Sequence, residues 1–228
     1  MIFNLKRIMI LASFSIIAIF TSLLAQFLLD DYHSQKSIDQ IAQIIHEHKS
    51  IIKIDESRNG SLRKIVNIIS RFNKEIMEET KLAIASEIYL MTEKYPNLNV
   101  DFVCATITHE SAKTWDPKIT SRVGAMGLMQ IMPATGAFLA MEEGISWTSS
   151  NEILYNPIFN IRLGCRYLNN LVEAYEQDGG LVAYNGGPRL AEMWLAANRN
   201  NEILYQETRD YWPAVLKLYA QFRSEEIL

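Results

Sequence analysis

The chain is poor in the features that mark most functional classes. It has only two cysteines, Cys104 and Cys165, 61 positions apart, and neither belongs to a paired-cysteine motif. No run of basic residues occurs and the formal net charge is -4, which argues against nucleic acid as a partner. No glycine-rich phosphate loop is present. His109-Glu110 does not extend to H-E-x-x-H, because position 113 is lysine. His46 and His48, two positions apart, face different sides of a helix, so no metal site is expected and no cofactor is implied. Cys104 and His109 point differently along one helix, which excludes a thiol hydrolase. No sustained alternation of period two, internal repeat or low-complexity tract is seen, and the expected fold is mostly α, with at most one small hairpin near 119–131.

Charge is also missing from one long stretch. Ile8 to Leu29 is a run of 22 residues without a charged side chain. As a helix it would span about 33 Å, enough to cross a bilayer. Lys6 and Arg7 precede it and Asp30 and Asp31 follow it, so the positive flank is expected in the cytoplasm and the remainder outside. A signal peptide is the competing reading, but its apolar core is normally shorter and no good A-x-A site follows. No cysteine near the end of the run suggests a lipoprotein. Both readings export the chain. Export with an even cysteine count permits a disulfide, while the apolar helical setting of Cys104 and Cys165 suits buried thiols equally well.

Three segments emerge from the patterning: an anchor over 1–30, a helical stalk or linker over 31–79, and a globular domain over 80–228. The stalk repeats isoleucines at helical spacing from Ile38 to Ile54. Arg58-Asn-Gly-Ser61 reads as a break with Ser61 capping a new helix, whose stripe of Leu62, Ile65, Ile69, Phe72, Ile84 and Ile88 runs to Tyr95-Pro96. Asn99 or Asp101 caps the helix that ends at Glu110. Pro133 opens another, residues 144–151 form a loop, and Pro157 begins a helix over Ile158 to Glu176 that Asp178-Gly-Gly180 ends. Further helices fit 181–198 and 208–223. No partner for the 31–78 helices is named by the sequence.

The chemistry-bearing residues lie in five blocks: Glu110-Ser111, Gly124-Ala-Met-Gly-Leu-Met-Gln-Ile-Met-Pro133, Asn160-Ile-Arg-Leu-Gly-Cys-Arg-Tyr-Leu168, Ala183-Tyr-Asn-Gly-Gly-Pro188 and Glu207-Thr-Arg-Asp-Tyr211. In this order they resemble the catalytic domain of soluble-type lytic transglycosylases, relatives of goose-type lysozymes, over about 100–222. The resemblance implies a lysozyme-like α domain that cleaves the glycan of peptidoglycan, with Glu110 as the single catalytic acid. It also implies a saccharide groove to which Ser111, Gly127, Met129, Gln130, Tyr184, Asn185, Glu207 and Tyr211 contribute. Glycoside cleavage needs a proton delivered to the leaving oxygen. Burial beside Met129, Met132 and Trp115 would keep that proton on Glu110 near neutral pH.

No second carboxylate is evident within the motifs; Asp116, the nearest downstream, sits in a turn context. A one-acid route is therefore expected, closing a 1,6-anhydro ring on N-acetylmuramic acid. A lysozyme-type hydrolase and a glycan-binding wall-remodelling factor with little turnover are the other readings. The chain departs from the family where E-S-x-F is usual. Trp115 follows Glu110 by five, a two-residue insertion within Ala112 to Thr114. The family's A-Y-N-A-G has Gly186 in its fourth place, and the short stretch from Asp178 to Val182 implies that the helix feeding Tyr184 begins late.

Overall fold

The computed structural model describes residues 55–225 continuously, together with Thr21, Ser22, Gln26, Gln43, His46, Lys49 and Lys53. The apolar run over 8–29 and most of the stalk lie outside the described residues. Among the described residues no helix is long and apolar enough to cross a membrane. The chain divides into two compact units, Met1–Glu56 and Ser57–Leu228, and all five motif blocks fall in the second.

This second unit is built from helices: α1 over 57–72, α2 (Glu78–Lys94), α3 (Val100–Glu110), α4 (Pro133–Glu142), α5 (Ser150–Leu154), α6 (Pro157–Gly186), α7 (Pro188–Ala196), a 3-10 turn (Asn201–Ile203) and α8 (Gln206–Ser224). Local chemistry sets most starts. Asn99 Oδ1 accepts from Phe102 N at 3.0 Å and caps α3. Asn156 Oδ1 accepts from Ile158 N and Phe159 N at 3.0 and 3.3 Å, with Pro157 at the first helical position of α6. Pro133 and Pro188 open α4 and α7 in the same way.

The core is organised around α3. Phe102 through Thr108 are all buried, which leaves that helix almost no solvent face. Helices α2 and α8 pack along it, and α6 lies against α2, α7 and α8. Thr106 and Thr108 would carry unsatisfied hydroxyls in such a core, but each donates to the carbonyl four residues earlier, Phe102 O at 3.0 Å and Cys104 O at 2.7 Å. Cys104 and Cys165 are both buried free thiols. Burial pushes both thiols above their ordinary pKa.

Several sequence expectations need amending. The Arg58–Ser61 break does not form: α1 runs through Gly60 and Ser61, because Ile65, Ile68 and Ile69 on its inner face are fully buried in the core, and packing outweighs the local turn preference. The stripe from Leu62 to Ile88 is interrupted over 73–77, where Asn73 Oδ1 accepts from Glu75 N at 3.0 Å and starts a turn. Residues 57–72, grouped with the stalk by patterning, thus belong to the compact unit. The loop expected over 144–151 gives way at Ser150 to α5, capped by Ser149 Oγ on Glu152 N at 3.2 Å.

The first stretch of α6 leaves helical backbone at Glu176, φ 62°, where the helix from Ile158 is expected to end; a second stretch then resumes at once and runs through Asp178-Gly-Gly180 to Gly186. The segment feeding Tyr184 therefore begins before Asp178 rather than late. Ion pairs from Arg199 to Glu176 (2.6 Å) and Asp178 (2.9 Å) hold the kink. The helix expected over 181–198 is two helices, because Gly187 takes φ 90° between them. The small hairpin near 119–131 is reduced to isolated antiparallel bridges, Thr120 with Met126 and Met126 with Ile131.

Glu143, the C-cap of α4, ties the end of α2 to the interior of α6. Its carboxylate accepts from Lys94 Nζ at 2.7 Å, Tyr95 Oη at 2.7 Å and Arg166 Nη1 at 2.7 Å, and its side chain is only 5 % exposed. Burial alone would raise its pKa, but these three donors outweigh that and hold it down at about 2, below the ordinary 4.5. A lowered folded-state pKa contributes stability above the unfolded value and loses it as pH falls toward the folded one. Glu143→Gln should cost about 2 kcal/mol at neutral pH. The deficit, read from denaturant midpoints across pH, should shrink as pH falls from 4.5 toward 2.

Candidate active site

Because α3 is buried along its length, its last residue emerges at the floor of a groove instead of on an outer surface. That residue is Glu110, with Ser111 as the C-cap. The groove has a volume of about 660 Å³ and gathers the end of α3, the segment 121–132, the end of α6 and the start of α8. A second cleft, bounded by Tyr89, Asp101, Tyr219 and Arg223, shares no residue with it, and its Asp101 is ion-paired with Lys64 at 2.7 Å.

The Glu110 carboxyl is pushed up to about 7 from an ordinary 4.5. Burial is the largest cause. A hydrogen bond from Tyr211 Oη to Glu110 Oε1, at 2.6 Å, pulls the other way, and the charge of Glu207 adds to the rise. Glu110 is thus an acid whose proton affinity lies in the neutral range, while it remains in a groove open to a ligand.

Tyr211 is itself fixed. It is 3 % exposed, and the His109 ring meets it edge-on with centroids 4.8 Å apart. His109 lines the groove beside Glu110; burial first, and the Lys113 charge second, lower its pKa. Tyr184 donates from Oη to Met129 O at 2.7 Å, which joins α6 to the 121–132 segment. Thr208, 2 % exposed on α8, donates from Oγ1 to Asn185 Oδ1 at 2.7 Å.

Of the residues singled out from sequence, Gln130, Tyr184, Asn185, Glu207 and Tyr211 meet Glu110 on the groove wall. The other three stand behind it. Ser111 is fully buried, and its Oγ accepts from Trp115 N at 3.1 Å. Met129 is fully buried against Gly164, where an added Cβ would come within 2.4 Å of its sulfur. Gly127 has φ 77°, and a Cβ there would lie 2.2 Å from Leu154 O and 2.3 Å from Asn160 Nδ2, so only glycine fits. Gln130 has φ 47° and donates from Nε2 to Gly127 O at 2.8 Å, which holds its side chain over the bend. Met132 lines the groove; Trp115 does not, being wholly buried with its Nε1 donating to Thr108 Oγ1 at 3.0 Å.

The altered loop after Glu110 has unusual backbone. Ala112, Lys113 and Trp115 all have positive φ, at 49°, 62° and 51°. Non-glycine residues adopt that region at a cost, and surrounding structure must hold them there. Here Lys113 N donates to Thr108 O at 2.8 Å, Thr114 Oγ1 donates to Ser111 O at 2.6 Å, and Trp115 anchors the loop in the core.

Asn160 was not among the sequence-derived site residues, yet it shapes the site from beneath. It is fully buried. Its Oδ1 accepts from Met129 N at 2.8 Å, and its Nδ2 donates to Met126 O and Leu154 O, both at 2.9 Å. One amide therefore holds both sides of the bend that presents Gln130. The available signal was a lone asparagine among the apolar positions Ile161, Gly164, Cys165 and Leu168 of α6.

These features define a helical, lysozyme-like domain with one carboxyl of raised pKa in a ligand-sized groove, and the comparisons agree. The model of the Transglycosylase SLT domain matches residues 87–206, and the chain belongs to that family. Among curated relatives, the soluble lytic murein transglycosylase of Escherichia coli K12 is 36 % identical over 135 residues, 54 % of this chain and 20 % of the relative. A transglycosylase of Enterobacteria phage PRD1 is 34 % identical over 105 residues, 46 % of this chain and 35 % of the relative. The match takes in about a fifth of the length of the Escherichia coli protein.

Among solved structures, the 70 kDa soluble lytic transglycosylase of Escherichia coli is 32 % identical with a TM-score of 0.54, covering 60 % of this chain and 24 % of that one. The lytic transglycosylase Slt of Pseudomonas aeruginosa, an inactive mutant in which glutamine replaces a glutamate, is 28 % identical with a TM-score of 0.53, covering 60 % and 23 %. A complex of the 70 kDa soluble lytic transglycosylase with bulgecin A is 30 % identical with a TM-score of 0.53, covering 62 % and 25 %.

Removing the Asn160 amide leaves Met129 N without its acceptor and takes a donor from Leu154 O and from Met126 O, of which Met126 O still accepts from Ile131 N. Asn160→Ala should cost about 3 kcal/mol, read as a lower denaturant midpoint, and Gly127→Ala should be similarly disruptive.

Proposed function

We propose that this chain is a membrane-anchored lytic transglycosylase that cleaves the bond between N-acetylmuramic acid and N-acetylglucosamine in peptidoglycan. The observation that carries the reading is the Glu110 carboxyl, raised to about 7 in the groove and hydrogen-bonded by Tyr211. Family membership and the lytic murein transglycosylases among the relatives support the substrate class.

The chemistry follows from one acid used twice. Protonated Glu110 donates to the glycosidic oxygen as the bond to the muramic acid C1 breaks, and the glucosamine end leaves as an alcohol. The muramic acid's own N-acetyl oxygen stabilises the cationic centre. Glu110, now a carboxylate, takes the proton of the C6 hydroxyl, whose oxygen closes on C1. The product is a 1,6-anhydromuramoyl end, no water enters, and the acid returns protonated. Gln130, Tyr184, Asn185, Glu207 and Tyr211 line the path of the strand; Ser111, Gly127 and Met129 would shape it from behind.

The uncharged run over 8–29 with its basic flank supports tethering to the inner membrane with the catalytic domain on the periplasmic side. In this reading residues 1–30 anchor, the segment from 31 to 56 spaces, and the unit from Ser57 carries the chemistry.

Digestion of purified peptidoglycan with the full chain, followed by mass spectrometry of the fragments, tests the proposal. Anhydromuramoyl ends are expected, and reducing muramic acid ends would point to a hydrolase instead. Glu110→Gln should lower the rate by a factor on the order of a thousand. Since the active form is protonated, the rate should fall as pH rises above about 7.

A further inference from the structure

The loop that follows Glu110 is bonded mainly to the helix it ends. Ala112 N donates to His109 O at 3.0 Å, Lys113 N to Thr108 O at 2.8 Å and Thr114 N to Ser111 O at 2.9 Å. Among the described residues, a single hydrogen bond ties residues 112–114 to another element: Asn73 Nδ2 donates to Thr114 O at 2.9 Å. Asn73 sits in the turn between α1 and α2. Its partners set the direction of its amide. Oδ1 accepts from Glu75 N at 3.0 Å, and a backbone N–H can only donate; Nδ2 meets a carbonyl oxygen, which can only accept.

The base on which Asn73 stands is firm. Ile65, Ile68 and Ile69 of α1 are buried in the core, the Phe72 ring meets Phe222 with centroids 6.5 Å apart, and Arg71 reaches Glu225 through two bonds of 2.8 Å. The loop it holds is strained. Ala112, Lys113 and Trp115 have positive φ, which costs energy at residues other than glycine. Trp115 anchors the far end of that stretch in the core, and Asn73 grips the carbonyl just before it from outside. The same loop closes α3, whose last residue is Glu110.

We propose that Asn73 is a positioning residue for the cleavage reaction: by clamping the loop at Thr114 it keeps the end of α3 wound and the Glu110 carboxyl on Tyr211. Asn73 lies outside residues 87–206, so the geometry of the site depends on a turn that precedes the family-matched segment. The proposal rests on the reading of Glu110 as the acid, but titration tests the clamp without turnover.

The experiment uses the full chain. Asn73→Asp keeps the acceptor for Glu75 N and removes the donor to Thr114 O; Asn73→Ala removes both and adds no charge. Denaturant midpoints establish that each variant is folded under the assay conditions. In each, kcat on soluble, uncrosslinked glycan strands should fall about tenfold while KM stays within about twofold of wild type. The Glu110 carboxyl, followed by carbon-13 NMR, should titrate below its wild-type midpoint, because a loosened helix end admits water. The charge added by Asn73→Asp would by itself raise that midpoint, so a fall reports the loop. His109 from α3, Tyr184 from α6, and Glu207, Asp210 and Tyr211 from α8, which line the groove with Glu110, are untouched. Ala112→Gly adopts φ 49° without strain, and added to Asn73→Ala it should restore most of the lost kcat and of the midpoint, which a clamp unrelated to loop strain would not give. A wild-type kcat, a wild-type Glu110 midpoint or no recovery with Ala112→Gly each overturns the proposal. If the wild-type chain yields no anhydromuramoyl ends, the titration alone decides: a midpoint that falls and recovers leaves the clamp standing, and the catalytic reading alone fails.

Discussion

The site depends on the burial of α3. A helix with no solvent face from Phe102 to Thr108 must end inside the protein, so the side chain at its last turn begins in a low-dielectric setting. For most residues that would be a packing matter. For a glutamate it sets the proton affinity. Desolvation pushes Glu110 to about 7 against the pull of Tyr211, whose 2.6 Å hydrogen bond limits the rise and fixes the carboxyl's direction. The same fold feature thus supplies both stability and an acid poised near neutrality, and the neighbouring elements are arranged to give that acid access to a ligand.

That arrangement is made by polar groups working from beneath. Asn160 joins the bend at 126–129 to the end of α5, Tyr184 joins α6 to the same bend, and Thr208 joins α8 to α6. Each contact is buried or half-buried, so it is strong enough to hold backbone that would otherwise relax. Gln130 at φ 47° is the strained place these contacts sustain, while the positive φ at Ala112, Lys113 and Trp115 is held by the loop's own bonds to Thr108 and Ser111 and by the burial of Trp115. The inserted residues after Glu110 leave the acid's partners intact because Trp115 sinks into the core instead of entering the groove.

Legibility in the sequence tracks the range of the interactions involved. The cap at Asn99 and the proline starts of α4 and α6 are local and legible, whereas Pro188, which opens α7, lies inside the single helix expected over 181–198. Glu110, Gln130, Tyr184, Asn185, Glu207 and Tyr211 were legible as members of ordered motifs, and the groove collects them. Interactions across the chain were hidden. Gly60 and Ser61 look like a break until Ile65, Ile68 and Ile69 are buried on the helix that contains them. Asn160 and Thr208 gain their partners only when α6 and α8 are in place, and Ser111 and Met129, motif residues both, prove to face inward.

The central claim is that the fold raises Glu110 into the neutral range, and titration of that one carboxyl tests it most directly. Carbon-13 NMR of protein labelled at glutamate side chains, assigned by comparison with Glu110→Gln, should show a carboxyl titrating at about 7. In Tyr211→Phe, which removes the hydrogen bond that favours the charged form, the midpoint should move higher. A Glu110 carboxyl that titrates at the ordinary 4.5, unmoved by the loss of the Tyr211 hydroxyl, would contradict the account.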